Sequence, residues 1–120
     1  HTFAHAYEAS LGYSKKLNHG EAVILGIISA LRFSLDSKLI KSSEYQQIIK
    51  HLHKAKLPFN IKDYFSSKNI NSILAFMIKD KKNSSNKINL ILLKKIGSTI
   101  IDNQYNILRI KKFIKKELTN

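Results

Sequence analysis

The sequence predicts a mainly α-helical, multi-helical domain with one small antiparallel β-hairpin, and three kinds of observation predict it. Apolar residues recur at helical spacing through most of the chain, and helix-start signals such as Asn18-x-x-Glu21 and Ser43-x-x-Gln46 precede those stretches. Two short isoleucine- and leucine-rich runs follow the turn signal Asn83-Ser84-Ser85-Asn86 and flank Gly97. A length of 120 residues fits a single domain over 1–120, and 43% apolar residues suffice for a modest core.

The first helix sets His1, His5 and Glu8 on one side, at i, i+4 and i+7, with Phe3, Tyr7 and Leu11 on the other. One face can bind while the other packs. Gly12 suits the left-handed residue that closes such a helix, and a short loop from Tyr13 to Leu17 follows. Asn18 caps the second helix, Glu21 completes a capping box, and His19 takes the first helical position. The positive end of the helix dipole disfavours imidazolium there and leaves a lone pair for a metal, while the free backbone N–H groups favour an anion.

From His19 to about Ser37 the helix is apolar nearly all round, at Ala22, Val23, Ile24, Leu25, Ile27, Ile28, Ala30 and Leu31. Such a helix is buried on most sides and is expected to be the central one. Gly26 within it costs roughly 1 kcal/mol relative to Ala, which close approach of a neighbouring helix can offset.

Ser42 or Ser43 is expected to cap a third helix, with Leu39 and Ile40 as a staple and Tyr45, Ile48, Ile49, Leu52 and Ala55 as its stripe, until Pro58 stops it. His51 and His53 are two apart, point to different faces and read as surface residues. Ile61, Tyr64 and Phe65 suggest one short turn. Asn69 is expected to cap a fourth helix with Ile70, Ile73, Leu74, Met77 and Ile78 at helical spacing. The strands are expected over Lys87 to Leu93 and Ser98 to Ile101. Asp102-Asn103 then turns into a last helix, with Ile107, Leu108, Ile110, Phe113, Ile114 and Leu118 inward, opposite Lys111, Lys112, Lys115 and Lys116. A terminal helix packed on its own domain is the reading of this basic amphipathic segment, with a membrane surface as the rival.

The net charge of +13 raises nucleic acid or an anionic membrane as partners. The excess is scattered lysine, and only Arg32 and Arg109 supply the guanidinium groups that phosphate and base contacts prefer. It reads mainly as compositional bias on a solvated surface, with no nucleic acid and no membrane as partners, and acidic small-molecule substrates remain compatible. With no cysteine there is neither disulfide nor thiolate metal site, which fits a cytoplasmic protein. The longest apolar run, Ala22 to Leu31, is about half of the ~20 residues that span a bilayer. The chain begins with a candidate ligand, His1, rather than methionine, so it reads as the C-terminal part of a longer protein.

Two stretches carry chemistry. His1 and His5 with His19 look like an incomplete metal site, since catalytic zinc takes three N or O ligands and keeps one position open. The basic cluster Lys79-Asp80-Lys81-Lys82 reads either as lysines solvated at a helix C-terminus or as a cationic clamp for phosphate or carboxylate.

The string His1-Thr2-Phe3-Ala4-His5-Ala6-Tyr7-Glu8-Ala9, then Leu11-Gly12-Tyr13, then His19-Gly20-Glu21-Ala22-Val23 running into an apolar helix, resembles the 3-dehydroquinate synthases of the shikimate pathway. The resemblance continues through Leu57-Pro58, Met77-x-x-Asp80-Lys81-Lys82, Ile88 to Leu93 and Ile96-Gly97, and so covers almost the whole chain in the order of that family's C-terminal helical domain. It implies conversion of 3-deoxy-D-arabino-heptulosonate 7-phosphate to 3-dehydroquinate and phosphate, using NAD and a divalent metal, zinc or cobalt. The steps implied are transient oxidation, phosphate elimination, reduction, ring opening and aldol closure. His1 and His19 match the two histidine metal ligands, and His5 matches a histidine near the substrate phosphate that assists proton movement. Lys81 and Lys82 match the family's anion-binding lysines, which favours the clamp reading of that cluster. Glu8 and Glu21 match motif positions, the latter already assigned to the helix cap. A homodimer built through the missing N-terminal domain is also implied.

The sequence departs from the family at Lys56, where glycine is usual, and lacks the NAD-binding glycines, the completing metal carboxylate and further substrate-binding residues that lie upstream. The chain alone is therefore expected to bind metal weakly and not to turn over substrate. The alternatives are another sugar-phosphate cyclase or a metal-dependent alcohol dehydrogenase of the same architecture. A rival of a different class is a basic helical nucleic-acid-binding module.

Overall fold

The structure is a computed structural model that describes residues 2–12, 17–55, 60–79, 87–95 and 98–119, the strands by their backbone. Five α-helices lie among the described residues: α1 (Thr2–Ser10), α2 (His19–Asp36), α3 (Ser42–Lys54), α4 (Ile70–Lys79) and α5 (Ile107–Thr119). Two 3₁₀ turns, Ile61–Asp63 and Ser67–Asn69, precede α4, and two strands, β1 (Lys87–Lys95) and β2 (Ser98–Asn106), precede α5.

Helix α2 is the central one, as its nearly unbroken apolar surface requires, with α1, α3 and β1 packed along it. Its buried residues include Ala22, Leu25, Ile28, Leu31 and Phe33, whereas Ile27 remains half-exposed. Gly26 is where α1 comes closest: a Cβ placed there would lie 2.9 Å from both Cβ and N of Ala4. α1 is thus seated against the α2 backbone, with Phe3, Ala4, Ala6 and Tyr7 buried. The Tyr7 hydroxyl and Ser29 Oγ form a buried hydrogen bond of 2.6 Å across the same interface. A second hydroxyl pair, Ser10 and Ser72 at 2.8 Å, ties the end of α1 to α4.

The main core gathers aromatic rings from four parts of the chain. Phe3 stands 6.2 Å from Phe113 and 6.4 Å from Phe33, Phe33 meets Phe113 edge-on at 5.0 Å, and Tyr7 meets Phe65 at 5.3 Å. Edge-on and tilted pairs suit the ring quadrupoles and add to the area buried. A smaller cluster of Leu31, Ile40 and Tyr45 holds α3 against the second half of α2.

The helix ends follow local chemistry. Gly12 takes φ +64° after α1, and its N–H donates to the Ala9 carbonyl at 2.9 Å. After α2 the left-handed position falls to Lys38, φ 60°, with Lys38 N–H bonded to Leu35 O at 3.0 Å and Leu39 N–H to Ser34 O at 2.9 Å. That pair of bonds is a Schellman motif. Asn18 caps α2 with the full capping box expected, its Oδ1 accepting from Glu21 N–H at 2.8 Å and Glu21 Oε1 from Asn18 N–H at 3.1 Å.

Several expectations are corrected. The N-cap of α3 is Lys41, without a side-chain bond, rather than Ser42 or Ser43: burial of Ile40 beside Tyr45 brings the chain into the helix one residue early. Asn69 does not cap α4 but sits at the third position of a capping box whose cap is Ser66, its Oδ1 accepting from Ser66 N–H at 3.0 Å. Leu108, expected inward, is exposed, and so are Ile78 and Ala55, which stand at helical spacing with the apolar stripes of α4 and α3. Asp102 and Asn103 do not turn the chain. The strands pair antiparallel from Lys87↔Asn106 to Lys95↔Ser98, and between Ile88↔Tyr105 and Leu90↔Asp102 β1 advances two residues while β2 advances three. A bulge absorbs the turn-forming residues within the strand. The expected stop at Pro58 lies outside the described residues.

No helix among the described residues is long and apolar enough to cross a membrane.

Candidate functional site

The candidate site forms where the end of α1 meets the start of α2. With Phe3 and Tyr7 turned into the core, the opposite face of α1 presents His5, exposed, and Glu8 one turn further on. Glu8 Oε1 accepts a hydrogen bond of 3.0 Å from Nδ1 of His19, the first residue of α2. The two partners differ in environment: the Glu8 side chain is 13% exposed and that of His19 73%. With Nδ1–H committed to the carboxylate, the lone pair of the neutral ring lies on Nε2, where a metal or a proton can take it.

Glu21 closes the other side of this corner. One oxygen completes the helix cap, and the other accepts from the Tyr64 hydroxyl at 3.3 Å. Partial burial, and then the neighbouring Glu21 charge, raises the Tyr64 phenol above its ordinary range and keeps it a donor. The 3₁₀ turns are thereby fastened to the N-terminus of α2. Tyr64 was placed by its sequence context only in a short turn, and a bond spanning 43 residues leaves no local signal.

His1, Lys81 and Lys82, together with Lys56, lie outside the described residues. The structure thus brings His19 and Glu8 together and puts His5 on the same side of α1 as Glu8. Among the described residues no group of three or more His, Cys, Asp or Glu side chains could hold a metal ion. The donor chemistry of His19 nevertheless fits a divalent cation, because a ligating imidazole ordinarily has its second nitrogen bound to a carboxylate or carbonyl.

The family described as 3-dehydroquinate synthase C-terminal matches residues 1–83. This chain belongs to that family. Relatives include the 3-dehydroquinate synthase of Pelagibacter ubique, 56% identical over 99% of this chain and 32% of its own length. That of Zymomonas mobilis is 36% identical over 98% of this chain and 31% of its own. The chain therefore spans about a third of the length of the curated family members it matches. Among solved structures, 2-deoxy-scyllo-inosose synthase complexed with carbaglucose-6-phosphate, NAD+ and Co2+ superposes with a TM-score of 0.69. It shares 21% identity and covers 95% of this chain and 34% of its own, a likeness of fold.

Proposed function

We propose that the chain is the C-terminal, metal- and phosphate-binding part of a 3-dehydroquinate synthase, a phosphate-eliminating carbon–oxygen lyase of aromatic amino acid biosynthesis in the cytoplasm. The observation that carries this reading is the 56% identity to such an enzyme across 99% of the chain. The substrate is 3-deoxy-D-arabino-heptulosonate 7-phosphate and the products are 3-dehydroquinate and phosphate. In this reading His1 and His19 are the metal ligands that this chain supplies, and the remaining carboxylate ligand and the NAD site come from the upstream domain.

A divalent cation, zinc or cobalt, would supply polarisation of the substrate oxygens, and NAD, held by the upstream domain, would supply the hydride chemistry. The chain's own residues bind, orient and move protons. His19 offers Nε2 from a ring held at Nδ1 by Glu8. His5, exposed on the same face of α1 as Glu8, carries the proton between substrate and its phosphate. Lys81 and Lys82 hold the phosphate and oppose the charge that builds as it departs. The related fold of 2-deoxy-scyllo-inosose synthase, complexed with a sugar-phosphate analogue, NAD+ and Co2+, supports the same cofactor pair here and makes another sugar-phosphate cyclase the second reading.

The test is phosphate release from 3-deoxy-D-arabino-heptulosonate 7-phosphate by the full-length enzyme that contains this chain, with 3-dehydroquinate identified as the carbocyclic product. Release from a different sugar phosphate only would transfer the assignment to the second reading. The His5→Ala variant is expected to lower kcat by ~10²–10⁴-fold, the usual contribution of a positioned acid–base group. An unchanged kcat would remove His5 from the mechanism.

A further inference from the structure

We propose that Glu8 is the positioning residue of His19: it fixes the imidazole so that Nε2 faces a divalent cation, and sets the affinity of the site. This rests on the reading of His19 as a metal ligand given above.

The geometry argues for more than a surface ion pair. An ordinary exposed pair leaves both side chains in solvent, whereas here the carboxylate is 13% exposed and the imidazole it holds is 73% exposed. A carboxylate drawn out of water needs compensating partners, and Glu8 finds one in the Nδ1–H at 3.0 Å. The polar group that is sheltered is the support, and the one left open is the donor.

The frame around the pair is rigid. α1 ends at a left-handed Gly12, α2 begins at a complete capping box, and the Ala4–Gly26 approach leaves no room for the helices to slide together. The Glu8–His19 vector is therefore set by two seated helices. Without Glu8, an exposed ring at the first position of a helix is free to rotate about both side-chain bonds. Each rotamer other than the bonded one aims Nε2 elsewhere, so the loss appears as weaker cation binding.

The experiment uses the full-length enzyme that contains this chain, stripped of metal and titrated with Co2+ alone against a chelator. Affinity, the visible d–d absorption of the bound cobalt and the melting temperature of the metal-free protein are measured for Glu8→Ala, Glu8→Gln and His19→Ala. Glu8→Ala is expected to weaken Co2+ binding about 10- to 100-fold and to alter the d–d bands, with the metal-free melting temperature close to that of the parent. Glu8→Gln, whose amide oxygen still accepts the Nδ1–H, is expected to restore most of the affinity. Parent-like affinity and spectrum in Glu8→Ala would overturn the proposal, as would a loss in both variants that merely follows a fall in melting temperature. If Glu8→Ala binds normally while His19→Ala does not, only the role of Glu8 fails. If His19→Ala also binds normally, the metal-ligand reading falls with it.

Discussion

Tyr7 carries its hydroxyl into a site with no access to water, where Ser29 Oγ, 2.6 Å away, is its partner. Burial first of all pushes the phenol well above its usual range, so it is a neutral donor or acceptor near neutral pH. Tyr7→Phe strands the serine hydroxyl and is expected to cost ~1–3 kcal/mol in denaturant unfolding, while the double change Tyr7→Phe with Ser29→Ala recovers most of it. A double variant as unstable as the single would show that the bond is not what Tyr7 contributes. Gly26 is the opposite case, a residue useful for what it lacks. Gly26→Ala gains about 1 kcal/mol of helix propensity but forces a methyl group to 2.9 Å from Ala4, and overpacking of that kind costs roughly 1–3 kcal/mol. A net loss of stability is expected from the unfolding midpoint, and a gain would mean that α1 can retreat freely. The role of Gly26 was legible in the sequence because a glycine in a strongly apolar helix needs a compensating contact. The left-handed Lys38 was not, since lysine carries no signal for positive φ. A left-handed non-glycine costs about 1–2 kcal/mol, so Lys38→Gly is expected to stabilise, by about 1 kcal/mol after the extra entropy of the unfolded chain is deducted.

At the scale of elements, α5 is held to α2 by its apolar face and by a seam of charge. Ile110, Phe113, Ile114 and Leu118 are buried, Arg109 stacks over the Phe33 ring at 4.7 Å, and Asp36 receives Arg109 at 2.8 Å and Lys116 at 3.3 Å, with Arg32 paired to Glu117 alongside. Partial burial would raise the Asp36 carboxyl, but the hydrogen bonds and charges of Lys116 and Arg109 outweigh it and hold the group below its ordinary value of 3.8. A depressed folded-state value stabilises the fold above that ordinary value, and the stabilisation is lost as pH falls through the lower, folded one. Parent and Asp36→Asn are therefore expected to differ in melting temperature near neutral pH and to converge in acid, by a small amount because the seam is half open to solvent. Equal melting temperatures at neutral pH would mean that the seam contributes nothing. The alternation of Ile and Lys in α5 made its buried face readable, whereas its first turn was not: Leu108 sits at an inward-looking spacing and is 70% exposed. The same holds for Asp102 and Asn103, whose local preference for a turn yields to the strand: Asp102 pairs with Leu90 of β1 and Asn103 falls at the bulge beside it. Local signals decide ends of helices reliably here only when no longer-range pairing competes for the same residues.

For the whole molecule, the decisive quantity is how many functional groups one chain can bring to one point. The chain spans about a third of its curated family members, and among its described residues no three metal-binding side chains converge. What it does place together is one exposed imidazole, the sheltered carboxylate that holds it, and a second imidazole on the same face of α1 as that carboxylate. Motif spacing made the residues of this corner legible, and the capping box even gave the position of His19 on its helix. The Glu8–His19 bond was not legible, because it depends on how α1 is seated on α2, which is settled by Gly26, Tyr7 and the aromatic core rather than by any residue near the site. Catalytic zinc sites use about three protein ligands plus an open position. A chain that contributes two of them at most should hold Co2+ or Zn2+ only weakly and should release no phosphate from 3-deoxy-D-arabino-heptulosonate 7-phosphate by itself. Calorimetric titration of the isolated chain with each metal, beside a phosphate-release assay run with the full-length enzyme as reference, measures both. Turnover by the isolated chain at a rate approaching that of the reference would mean that the remaining two-thirds is dispensable for catalysis, and the division of labour proposed between the two parts would have to be abandoned.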